Sequence, residues 1–135
     1  MAPQTTSPSV TRMHTHLATG RLDLLIIRER AGDDEVWVAQ CLQYDIATQA
    51  KTLESLKRKF VRMFVSNIII ALENGQEPLA NIKPAPQSYW DAYNQASEFC
   101  AEFPYSVPAD RLPKRSVTPS AIPRGEAIMR LASTV

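Results

Sequence analysis

Asp23, Asp45, Glu54 and Glu73 are the residues that could do metal-dependent chemistry, because nucleases that cut with two divalent cations gather carboxylates around them. Their spacing argues against a shared site. Glu54 and Glu73 are predicted on one helix, about 28 Å apart at 1.5 Å per residue. The bland alternative is a solvated Asp23, a turn aspartate at 45 and a first-turn Glu54 that complements the helix dipole. His14 and His16 flank Thr15 in a polar arm and find no third ligand nearby. No other histidine occurs, so no Ser/His/Asp or Cys/His arrangement can be assembled in the core. Cys41 and Cys100 lie in apolar surroundings and read as buried free thiols, which suits a reducing compartment. Catalysis, a metal site and a cofactor are therefore not expected.

Binding chemistry is more plausible. Lys57, Arg58, Lys59 and Arg62 form a basic helix edge that could meet RNA, DNA or an acidic protein, or could simply be solvated. Tyr44 and Asp45 fall at a bend, where residues on a rigid scaffold often carry recognition; the alternative is a turn aspartate beside a half-buried tyrosine. We take Tyr44, Asp45, Arg58 and Arg62 as the candidate partner-binding residues.

These side chains must be positioned by a small number of elements. LDLLIIRER, residues 22 to 30, and VWVAQCL, residues 36 to 42, are β-prone runs joined by the turn chemistry of AGDDE. Both faces of the first run are apolar, so that strand should be covered on both sides. Ile46 to Gln49 reads as a third, shorter strand. Thr52 suits a helix N-cap and Gly75 a left-handed stop. Between them Leu53, Leu56, Phe60, Met63, Phe64, Ile68 and Ala71 recur at helical spacing and should cover the sheet. A second stripe, Val61, Val65, Ile69 and Leu72, is surplus to one sheet and is expected to meet a later segment or another subunit in self-association. A second helix is expected between Pro86 and Cys100, with Tyr89, Tyr93, Ala96 and Cys100 on one stripe that could cover that surplus face.

Composition sets the frame. The chain has 135 residues, 44% of them hydrophobic, enough for a single core. Fifteen basic and fourteen acidic residues give a net charge of +1, which excludes a global basic field for gripping nucleic acid. No prolines fall between residues 9 and 77, so regular structure should concentrate there. The expected division is a disordered arm over 1–20, a folded unit over 21–100 and a proline-rich, weakly basic, largely irregular tail over 101–135. AIMRLA near the end reads as a weakly amphipathic stretch that orders only on contact. The polar N-terminus has no signal-like apolar run, and the longest apolar stretch is too short and interrupted to span a bilayer, so a cytoplasmic protein is expected.

WVAQCLQYDIATQAKTLESL resembles the HicB-like antitoxin family. Trp37, Cys41, Leu42, Tyr44, Asp45, Ile46, Ala47, Thr48, Gln49, Thr52 and Leu53 match the family pattern position by position. KPAPQSYWDAYNQA, residues 83 to 96, is similar to the segment after that family's long helix. The resemblance spans roughly residues 22 to 100 and stops short of the DNA-binding domain that many members carry. It implies an α+β fold, a β-β-β-α-β core of degenerate RNase H-like type. In it a three- to four-stranded, mainly antiparallel sheet is covered by one long helix, with a second helix after it. It also implies a non-enzymatic protein that covers a small HicA-type toxin ribonuclease. A reading from another class keeps the same fold as an oligomeric scaffold, or as a nucleic-acid-associated regulator acting through basic tails.

Overall fold

The computed structural model describes residues 20–96, 98–111 and 124–132. The fold is α+β, with a five-stranded mixed sheet and two helices. In chain order the elements are β1 (Gly20–Ala31), β2 (Asp34–Cys41), β3 (Ala47–Ala50), α1 (Leu53–Glu73), α2 (Gln87–Gln95), β4 (Glu98–Ser106), a 3₁₀ turn (Ala109–Arg111) and β5 (Arg124–Leu131). Across the sheet the order is β3-β2-β1-β5-β4. β5 runs parallel to β1, and the other neighbours are antiparallel.

The expected hairpin is present. Ala31 pairs with Asp34, and Gly32 at φ 67° supplies the left-handed conformation that a two-residue turn needs at its first central position. β1 is the central strand, as its two apolar faces require. Leu22, Leu24 and Ile26 point to one face and join the main core with Phe60 and Phe64 of α1. Leu25 points to the other and packs with Leu42, Ala85 and Tyr93.

α1 begins where the sequence places it. Thr52 accepts a hydrogen bond from the Ser55 amide at 3.1 Å, and Gly75 at φ 68° follows the last turn. Its buried face carries an aromatic column. Phe60 and Phe64 stack at 5.7 Å, and the Phe64 ring meets Tyr105 edge-on at 5.3 Å.

Several expectations are corrected. The sheet has five strands rather than three or four, and the β1–β5 pairing makes it mixed. Both additional strands come largely from residues expected to be irregular. β4 contains Pro104, which reads as a breaker yet is tolerated because β4 is an edge strand. β5 holds the AIMRLA segment. Gly125, Ala127, Met129 and Leu131 alternate toward α1, and small residues gave this face little apolar signal. The second helix ends at Gln95, so Cys100 lies in β4, and it docks on the sheet face opposite α1. It therefore does not cover the Val61 stripe. Val65 and Ile69 are each 5% exposed, within the same core as Tyr105 and Val107, while Val61 and Leu72 are half-buried. A later segment thus takes up this face.

The arm with His14 and His16 lies outside the described residues. Among those described, no helix is long and apolar enough to cross a membrane.

β5 enters beside β1 at a pair of glycines, Gly20 and Gly125. A Cβ on Gly125 would overlap the Gly20 carbonyl and stand 2.7 Å from the Tyr105 hydroxyl. The Gly20 carbonyl belongs to the backbone and cannot move without opening the ladder. Gly125→Ala is expected to lower unfolding stability by about 1–3 kcal/mol, read as a fall in the denaturant midpoint at unchanged slope.

Candidate partner-binding groove

The basic edge of α1 acquires an opposite wall in the fold. Lys57, Arg58, Val61, Arg62 and Val65 succeed one another along one side of the helix at one- and three-residue steps. Beyond β4, Val107 is 1% exposed and anchors the chain, and the Arg111 amide closes the 3₁₀ turn on the Pro108 carbonyl at 3.0 Å. That turn brings Arg111 to the groove that α1 shares with β4. The resulting groove has a volume of about 500 Å³. Val61, Val65, Phe103 and Pro108 give it an apolar floor; Lys57, Arg58, Arg62 and Arg111 give it cations.

Its charge is poorly compensated. The Lys57 ammonium reaches Glu54 at 3.8 Å and lies 6.0 Å from the Phe103 ring centroid. Arg58, Arg62 and Arg111 have no carboxylate partner among the described residues. Three guanidiniums around an apolar floor favour a ligand carrying both carboxylate or phosphate groups and apolar ones. Lys59 is not part of this wall; its ammonium reaches the Gln49 carbonyl at 3.4 Å.

Of the residues expected to bind a partner, the fold brings Arg58 and Arg62 together and separates them from Tyr44 and Asp45. Tyr44, expected at a recognition bend, is 4% exposed in the main core, with its ring 6.0 Å from Phe64. Burial, helped by Cys41 and Glu77, pushes its hydroxyl up to about 12. Asp45 is exposed but committed to the bend. Its carboxylate accepts from the Gln40 amide at 2.8 Å, and its backbone amide donates to the Lys83 carbonyl at 2.7 Å. Phe103, Pro108 and Arg111 were missed because the first lies within, and the other two just after, a strand that Pro104 disguised.

Glu54 and Glu73 lie at opposite ends of α1. Among the described residues, no three His, Cys, Asp or Glu side chains gather. Burial pushes the Cys41 thiol up to about 11, and it also raises Cys100.

Asp23 has a structural task that the sequence did not reveal. Its carboxylate accepts from the Tyr93 hydroxyl at 2.7 Å, the Gln43 amide at 2.7 Å and Arg21 at 3.0 Å. This network joins α2 to β1 and to the bend after β2. The Arg130 guanidinium lies 4.7 Å above the Tyr93 ring and covers it. Burial, the largest single influence on Asp23, raises its pKa. The three hydrogen bonds and the Arg21 charge together outweigh burial and hold the carboxyl below its ordinary value of 3.8.

A depressed carboxylate stabilises the fold fully above its unfolded pKa, and that contribution is lost as pH falls through the lower folded value. Unfolding stability should therefore drop below about pH 4. Asp23→Asn should cost about 1–3 kcal/mol at pH 7 and flatten this acid limb, as followed by denaturant titration across pH. No family model matches the chain, and neither the curated proteins nor the solved structures contain a match.

Proposed function

We propose that this is a non-enzymatic, HicB-like antitoxin-type protein that grips and occludes a protein partner through the groove between α1 and β4. By the sequence resemblance the partner is a small HicA-type toxin ribonuclease, and the setting is the cytoplasm, where Cys41 and Cys100 stay reduced. The observation that carries the reading is the set Arg58, Arg62 and Arg111 around an apolar floor, with no carboxylate partner among the described residues. Occlusion needs complementary shape and charge and no reacting group. The partner surface that fits offers carboxylates beside aliphatic side chains. The same cations favour a second reading, a nucleic-acid-associated regulator, whose affinity would fall steeply with salt.

The test uses a toxin-sized protein that co-purifies with this chain, assayed for RNA cleavage. The wild-type chain should suppress cleavage, and Arg58→Glu/Arg62→Glu should need at least about tenfold more protein to do so. Its thermal melt should match the wild type, because both arginines are exposed. Cleavage untouched by the wild type would sink occlusion of that partner. Equal potency of the charge-reversed variant would remove the groove from the account. Binding to a single-stranded oligonucleotide in place of the protein, lost between about 50 and 200 mM salt, would favour the second reading.

A further inference from the structure

The chain carries a surface that complements its own groove. α2 docks over β1 and leaves the outer part of the same sheet face, on β4 and β5, uncovered. Phe99 stands there with 59% of its surface exposed. Beyond the irregularity between Phe99 and Ala101, Glu102 pairs with Ile128, and Pro104 pairs with Glu126, so both carboxylates share the face with Phe99. Glu102 and Glu126 lie within hydrogen-bonding reach, and their proximity raises the Glu126 pKa. Of the basic residues on this face, Arg21, the register partner of Glu126, is held by Asp23 at 3.0 Å, Arg130 is engaged by the Tyr93 ring and Arg124 sits at the far end, opposite Ser106.

We propose that a second copy of this chain is a ligand of the groove: Phe99 of one molecule seats on the apolar floor of the next, and Glu102 and Glu126 meet Arg58 and Arg62. An exposed aromatic with two crowded carboxylates is matched to an apolar floor with three guanidiniums that have no carboxylate partner among the described residues. Knob and groove lie on opposite faces of β4, so the contact is heterologous and builds head-to-tail assemblies rather than a reciprocal pair. Among the described residues, the acidic hairpin tip, Asp33, Asp34 and Glu35, is one competing anionic surface, but it offers only Ala31 to the apolar floor. Self-docking would keep the groove covered until another ligand displaces it. This inference requires only the two surfaces and does not depend on the identity of any toxin.

The test is sedimentation equilibrium of the full chain in low salt, from about 10 μM to about 1 mM. The wild type should associate, and rising salt should weaken the association. Arg58→Glu/Arg62→Glu, which spoils the groove, and Phe99→Ser/Glu102→Arg, which spoils the knob, should each weaken it by at least about tenfold. Mixing the two variants should restore a one-to-one complex, because each retains the surface that the other lacks. A wild type that stays monomeric throughout overturns the proposal. So does a mixture that stays monomeric, or association that survives loss of the knob but not Asp33→Lys/Asp34→Lys.

Discussion

Burial of β1 on both faces is the constraint from which the remaining architecture follows. Leu22, Leu24 and Ile26 are fully buried on one side and Leu25 is 1% exposed on the other. A strand of that kind cannot sit at an edge or leave one face in water without exposing several large aliphatics, each worth about 1.5–3 kcal/mol when buried. It needs a neighbour on each side in the sheet and a layer above and below. β2 and β5 supply the neighbours, α1 and α2 the layers. The two helices differ in size, and so do the cores beneath them. α1 brings Phe60, Phe64 and Ile68 onto the sheet, whereas the nine residues of α2 contribute chiefly Tyr93.

Because α2 offers little apolar area, polar chemistry secures it. Asp23 takes hydrogen bonds from Tyr93 of α2 and from Gln43 at the bend, and the Arg130 guanidinium caps the Tyr93 ring. A carboxylate with three charge-assisted or hydroxyl donors holds a short helix in one orientation more firmly than a handful of methyl contacts would. The helix remains small enough to leave the outer strands bare on its face. That exposes Phe99, Glu102 and Glu126, while on the other face α1 and the turn after β4 enclose the basic groove. Both candidate surfaces are consequences of a sheet wider than the helices laid on it.

The hairpin, the Thr52 cap, the long helix and the central position of β1 were legible because each depends on local signals: alternation, turn residues, capping chemistry and helical periodicity. The membership of Arg58 and Arg62 in a basic helix face was legible for the same reason. Tyr44 reads as a turn residue from its neighbours, and its packing against Phe64 makes it a core residue. β4 was hidden by Pro104, whose cost disappears at a free sheet edge. β5 was hidden by its small residues, which are needed where it meets Gly20 closely.

By itself, then, the order of residues determined which segments are strand or helix where periodicity is strong, that β1 must be enclosed, and that α1 carries a cationic side. Only the tertiary structure decided that β5 slots in parallel between β1 and β4, that α2 lies opposite α1, and that Arg111 and Phe103 complete a groove with Arg58 and Arg62. The physical reason is range. Propensity and capping act over three or four residues, whereas β5 reaches its place beside β1 through partners about a hundred positions away, selected by which apolar areas remain to be buried.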